Sequence, residues 1–167
     1  MGRWKTAVIE EIHRISPTTK RFILNIESEE TFAFKAGQFI TLDLPIGEKR
    51  LDRWRSYSIS SAPSEDNRIE LCIVEVEDGR ASKYLFHDVE IGTELKLKGP
   101  GGTFYLPEQL TRPSVFICTG TGVAPFTSML LELKKRSGFE QPVHLIFGTR
   151  TEDGILYRSF FEKRSKF

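Results

Sequence analysis

The sequence has little cysteine. Cys72 and Cys118 are the only two in 167 residues, and each sits in an apolar run. Two well-separated thiols make no disulfide framework and cannot supply four thiolates to an iron–sulfur cluster. They read as reduced core residues. Histidine is nearly as scarce. His13, His87 and His144 show no metal-ligand spacing to one another or to cysteine, so no metal site is expected. No charge sign dominates, with 24 Lys plus Arg against 23 Asp plus Glu. A nucleic-acid binder usually shows a basic excess, so nucleic acid is not an expected partner. No apolar run approaches the ~20 residues of a membrane span. The opening MGRWKTAVIEEI is broken by charges from the start, unlike a secretory signal. The expected location is cytoplasmic. There is no Ser-His-Asp or GxSxG arrangement, no internal repeat and no low-complexity segment.

What is present suits one large domain, or one complete domain and part of another. Hydrophobic residues make up 39% and charged residues 28%, as in a soluble globular protein. Thirteen Phe imply an aromatic-rich core or a stacking surface. Up to about residue 107, short strand signals alternate with turn residues. Trp4–His13, Lys20–Glu27, Gln38–Leu44, Arg55–Ser61, Arg68–Val76 and Glu94–Lys98 are the expected strands. Ser16-Pro17, Ala36-Gly37, Pro45-Ile46-Gly47, Ala62-Pro63-Ser64 and Gly99-Pro100-Gly101-Gly102 are turns. Six short strands so punctuated predict an antiparallel barrel or sandwich. One short helix is expected at Ala81–Asp88, with Tyr84 and Leu85 near Ala81 at helical spacing.

Past Pro107–Pro113, the natural boundary, the alternation becomes βαβα. Ser114–Thr119 and Pro142–Phe147 are continuous apolar runs, as expected of buried parallel strands. Gly120–Pro125 is a tight turn. Phe126–Arg136 is an amphipathic helix with a basic last turn, which suits the helix dipole, and Ile155–Lys163 opens another helix. Two strands and two helices make half of a doubly wound sheet, with one open edge. The expectation is that the native protein continues past Phe167 or that a partner covers that edge. The runs Glu10-Glu11 and Lys134-Lys135-Arg136 read as solvated faces.

Three segments carry candidate chemistry. In RSYSISSAP at Arg55–Pro63, alternation on a strand puts Arg55, Tyr57 and Ile59 on one face and Ser56, Ser58 and Ser60 on the other. A guanidinium can grip a pyrophosphate with parallel hydrogen bonds, a Tyr ring can lie against a planar ligand, and a Ser hydroxyl can reach a ring nitrogen. The residues alone leave open a plain barrel strand with an exposed Arg and a polar stripe. Asp78-Gly79-Arg80-Ala81-Ser82 leads into a helix, and free N–H groups at helix starts attract anions. A Gly turn with a polar helix start serves equally. Thr119-Gly120-Thr121-Gly122-Val123-Ala124-Pro125 is a Gly-rich strand-to-helix turn that lets a pyrophosphate approach the backbone. It reads GxGxxP, without the third Gly of the usual dinucleotide fingerprint. Pro125 is tolerated in the first helical turn.

These segments, together with GQFITLDLP at Gly37–Pro45, VEVEDGRASKYL at Val74–Leu85, LKGPGGTF at Leu97–Phe104 and GTRTEDGILY at Gly148–Tyr157, resemble in order the ferredoxin–NADP reductase family. Its flavin motif reads Arg, any residue, Tyr, then Ser or Thr. The resemblance spans almost the whole chain. It implies a Greek-key antiparallel β-barrel over 1–107 that binds FAD, with FMN open, and a partial α/β NAD(P)-binding domain over 113–167.

By that resemblance Arg55 would pair with the flavin phosphate and Tyr57 would lie against the isoalloxazine or ribityl region. Ser58 would hydrogen-bond the ring nitrogen that accepts hydride, so Tyr57 and Ser58 are the expected catalytic pair. Ile59 would give backbone contacts, and Val74 and Val76 would line the bed of the flavin tail. Gly79, Arg80, Ala81 and Ser82 would surround the phosphates. Thr119, Gly120, Thr121, Gly122 and Pro125 would form the nucleotide loop, with Thr121 close to the flavin and Gly122 at the nicotinamide nucleotide. Arg150 would face the adenosine end of that cofactor, or be a plain loop residue. The implied activity passes a hydride from NAD(P)H to the flavin and then single electrons to ferredoxin, flavodoxin or an iron–sulfur subunit. The alternative is a flavin-binding electron-transfer module without nicotinamide chemistry. The basic cluster Arg50, Arg53, Arg80 and Lys83 would dock an acidic acceptor or serve the flavin phosphates. The family's further strands and its Cys-Gly segment have no counterpart in this sequence.

Overall fold

The computed structural model describes residues 3–136 and 141–162. Six strands form one antiparallel sheet: β1 (Lys5–Ser16), β2 (Thr19–Ile26), β3 (Phe39–Asp43), β4 (Trp54–Ser58), β5 (Arg68–Val74) and β6 (Glu94–Gly101). Their order is β4-β3-β6-β1-β2-β5. The two ends of that row come together through a bridge between Ile59 and Leu71. Beyond β4 the chain changes partner: Ile59 N–H donates to Gln38 O, but Ser60 N–H donates to Glu70 O. The sheet therefore curls into a barrel that is all but closed.

Alternation along each strand fills the barrel. Ile9, Phe22, Leu24, Ile40, Leu42, Ile59, Ile69, Leu71 and Leu97 are each at most 1% exposed. Each such side chain contributes about 1.5–3 kcal/mol of burial. Helix α2 (Arg80–His87) plugs one end of the barrel, sinking Ala81, Leu85 and Phe86 into the same core.

Local outcomes differ from the sequence reading in identifiable ways. The barrel carries a second short helix, α1 (Arg50–Arg53), in the β3–β4 connection. It buries no residue, so no apolar periodicity announced it. Strand β1 runs on to Ser16, and register shifts at Ile9/Glu11 and Arg14/Ser16 let it curve against β2. Glu10 and Glu11 are not simply solvated, since both accept from Arg68 on β5.

Past the barrel, β7 (Ser114–Thr119) and β8 (Val143–Gly148) pair in parallel. Between them a 3₁₀ turn at Gly120–Gly122 leads into α3 (Val123–Lys135). The helix thus starts earlier than expected and takes Pro125 into its first turn, where the missing N–H has no intrahelical acceptor in any case. A second 3₁₀ turn, Glu152–Gly154, precedes α4 (Arg158–Glu162); the Ile155–Tyr157 part of the expected last helix is loop.

The strands β7 and β8 are not buried on both faces, as their composition suggested. One face packs against α3, where Phe116 stacks on Phe126 at 4.7 Å between ring centres. On the other, Val115, Ile117 and Ile146 are 56%, 68% and 56% exposed.

The two parts are tied by specific bonds. Ser128 on α3 is fully buried and donates to Ser61 O at 2.6 Å. Lys135 and Arg136, expected on a solvated face, donate instead to Pro63 O and to the carbonyls of Pro107 and Glu108. Both cysteines are free and buried. Among the described residues no group of three or more His, Cys, Asp or Glu side chains could hold a metal. No described helix is long and apolar enough to cross a membrane.

Candidate functional site

The groove is built on β4, β5 and the start of α2. Arg55 and Tyr57, two apart on β4, face it together, as alternation requires. Val74 closes β5, and Val76, Gly79, Arg80, Ala81 and Ser82 wrap around the helix start. The groove has a volume of about 340 Å³ and also takes in Cys72, Ile73, Asp78 and Thr121.

Its wall is held by internal bonds. Ser82 Oγ accepts from Val76 N–H at 2.9 Å and lies 3.0 Å from Gly79 O as a donor. Ser82 therefore staples the turn that leads into α2. Gly79 is required there for space: a Cβ would come within 2.7 Å of Ser82 Oγ and 2.9 Å of Val76 Cβ. No side chain caps the first turn of α2, so its amides stay free for an anion.

The cations in the groove are partly engaged. Arg55 Nη1 donates to Leu51 O and Trp54 O at 2.9 and 2.8 Å. Arg80 donates to Ile46 O at 3.0 Å and to Asp52 Oδ1 at 2.6 Å. Burial pushes the Tyr57 hydroxyl up to about 12, against the opposing charge of Arg55. The ring packs partly on the barrel core. Tyr57 is therefore a neutral, flat wall beside a cationic one. That set of groups matches a planar ring joined to a diphosphate.

A larger cleft of about 740 Å³ adjoins it, running between the β1–β2 turn and the carboxyl ends of β7 and β8. Thr119, Gly120 and Thr121 line one side and Gly148, Thr149, Arg150 and Thr151 the other. Ligands of α/β sheets settle at that end of the strands. Gly120 holds φ at +51°, and nothing lies within 4 Å of where a Cβ would stand. A side chain there would be strained and would fill the cleft. Val74 and Thr121 line both the groove and the cleft, so the two adjoin.

Not every expected residue reaches these spaces. Ser58 lies opposite Phe39 on the other face of β4 from Arg55 and Tyr57, and it lines neither space. Ile59 is fully buried in the barrel. Gly122, which ends the 3₁₀ turn, and Pro125, in the first turn of α3, line neither space. Sequence reasoning missed Ser16, Thr18 and Thr19 on the cleft floor, and Gly154 and Leu156 on its rim. The β1–β2 turn is remote in sequence from the other segments, so only the barrel's closure brings it there. Gly154 and Leu156 fall within GTRTEDGILY, and Leu156 also within the expected Ile155–Lys163 helix, but neither carries an expected binding role.

Comparison with known proteins fits this geometry. Residues 6–105 match the model of the oxidoreductase FAD-binding domain, and residues 116–166 that of the oxidoreductase NAD-binding domain. Over 153 residues the chain is 37% identical to ferredoxin–NADP reductase B of Sorangium cellulosum, covering 90% of this chain and 60% of that one. It is 34% identical to the toluate 1,2-dioxygenase electron transfer component of Pseudomonas putida, covering 90% of this chain and 43% of that one. The chain thus spans only part of the length of these relatives. The ferredoxin–NADP⁺ reductase of Neisseria gonorrhoeae, solved with bound FAD and NADP, superposes with a TM-score of 0.80 at 28% identity, covering 98% of this chain and 64% of that one. The two family models, matched in order along the chain, together with these relatives, show that this chain belongs to the ferredoxin–NADP reductase family.

Proposed function

We propose that the chain is the FAD-bearing part of a reductase that takes a hydride from NAD(P)H and hands electrons singly to a protein acceptor such as ferredoxin, flavodoxin or an iron–sulfur subunit. Residues 1–107 form the flavin domain and 113–167 the NAD(P) domain. The observation that carries the reading is that groove and cleft adjoin, sharing Val74 and Thr121. A flavin held in the one and a nicotinamide nucleotide in the other would meet beside these two residues.

Bound FAD supplies the conversion of a two-electron donor into one-electron steps. The chain supplies position and electrostatics. Arg55, Arg80 and the α2 amides hold the diphosphate, with Gly79, Ala81 and Ser82 shaping the turn around it. Tyr57 lies flat against the ring system, and Val74 and Val76 bed the tail. Ser58 would hydrogen-bond the ring edge from the other face of β4. Ile59 contributes its backbone. Thr119, Gly120, Thr121 and Gly122 would seat the nicotinamide nucleotide, with Pro125 in the first turn of α3 after them, and Arg150 would face the adenosine end. Holding the two rings at near-contact distance is the catalytic contribution. With two buried free thiols, the chain belongs in the cytoplasm.

A second reading is a flavin module without nicotinamide chemistry, favoured by the open face of β7 and β8 at Val115, Ile117 and Ile146. One experiment separates them. The purified chain is scanned for a flavin spectrum, the released flavin is identified by mass, and NADH or NADPH is added without oxygen. Bleaching by either nucleotide supports the reductase. A yellow protein that stays oxidised supports the module. A colourless protein that FAD cannot reconstitute removes both.

A further inference from the structure

A polar knot lies beside the groove and outside it. Glu70 on β5 accepts from Ser60 Oγ and from Tyr157 OH, each at 2.8 Å on the same oxygen. Its other oxygen stands 3.5 Å from Arg21 Nε, near enough for attraction but too long for a good hydrogen bond. Ser60 is fully buried and stands two residues past Ser58, so the knot reaches the strand that carries Arg55 and Tyr57.

Tyr157 is the joint of the other part. Its φ is +57°, a costly conformation for a bulky residue, kept only where surroundings dictate it. Its carbonyl accepts the amides of Phe160 and Phe161 that open α4. Its neighbour Leu156 is 2% exposed and lines the cleft with Gly148, Thr149, Arg150 and Thr151. The hydroxyl therefore ties the loop that walls the nucleotide cleft to the flavin strand of the barrel.

We propose that Tyr157 is a positioning residue: its bond to Glu70 fixes the Gly148–Leu156 loop against the β4–β5 pair and so sets how closely a nicotinamide approaches the flavin. This rests on the reductase reading above. The bond is a long-range one, joining residues from the two parts of the chain, and Cys72 and Leu156 pack beside it.

The test uses the FAD-loaded chain and the variants Y157F, E70Q and E70L. Expected for Y157F are unchanged flavin content and a nucleotide dissociation constant within about threefold. The long-wavelength nicotinamide–flavin absorbance is weakened, and anaerobic flavin reduction falls about ten- to a hundredfold, the scale of a small misplacement. E70Q keeps an acceptor for Tyr157 and Ser60 and retains the rate, while E70L loses it as Y157F does. Hydrogen exchange of the Gly148–Leu156 amides rises in Y157F and E70L. A Y157F protein with the wild-type band, rate and exchange overturns the proposal and leaves the reductase reading intact. If neither nucleotide reduces the wild-type protein, the reductase reading fails. Exchange then decides: unchanged protection in Y157F overturns the tether, and raised exchange supports it.

Discussion

Arg80, which lines the groove, donates through Nη2 to Asp52 Oδ1 at 2.6 Å. The same arginine also reaches Ile46 O. A guanidinium in this position faces a choice between its acidic partner and an incoming phosphate. The pair is well exposed, 57% and 38% at the two side chains, so it is worth little, about 0–1 kcal/mol. Asp52→Asn frees Arg80, and FAD binding to the apoprotein tightens by about two- to fivefold on that scale. Titration calorimetry checks it. An unchanged constant assigns Arg80 to the α1–α2 contact alone.

Arg55 differs because its two backbone acceptors, Leu51 O and Trp54 O, orient it without neutralising it. Arg55→Ala lowers FAD affinity about ten- to a hundredfold, the range of hydrogen bonds to charged groups. Arg55→Lys recovers part of that, because a point charge remains but the fork is lost. Fluorescence titration of apoprotein with FAD, and with FMN in parallel, measures both.

Ser82 is the staple of the groove wall. Ser82→Ala orphans the Val76 N–H that now donates to it, at about 1–3 kcal/mol. Urea unfolding of the apoprotein reads the loss directly. The same variant weakens FAD binding further than the stability loss alone, because the α2 amides lose their fixed aim.

Alkali destabilises the fold. Burial raises Tyr57 from 10.0 to about 12 and Cys72 from 9.0 to about 12, and it pushes Tyr157 up as well. Each folded-state value lies above the unfolded one. The unfolded chain therefore releases its protons first, and stability is full below about pH 9 and declines as pH climbs toward 12. Tyr57 alone costs about 1.4 kcal/mol at about pH 11. Urea midpoints across that range fall steeply in the wild type and less so in Tyr57→Phe.

Much of this was written locally. The six barrel strands follow from period-2 alternation punctuated by Gly and Pro, because a side chain on a pleated strand has only two faces to choose from. The GxGxxP turn and the Asp78–Ser82 helix start are likewise short-range, since a helix terminus exposes its amides wherever it occurs. Helix α1 was not legible, because it buries nothing and so leaves no periodic trace. Exposure of Val115, Ile117 and Ile146 was not legible either, since composition records what a strand could bury and not what covers it.

Tertiary structure alone decided which segments meet. It put Ser16, Thr18 and Thr19 on the floor of the cleft, beside segments far from them in sequence. It also brought Tyr157 to Glu70 across 87 positions. Strand alternation says which neighbours share a face; only closure of the barrel and docking of the parallel sheet onto it set the distances between faces that are far apart in sequence.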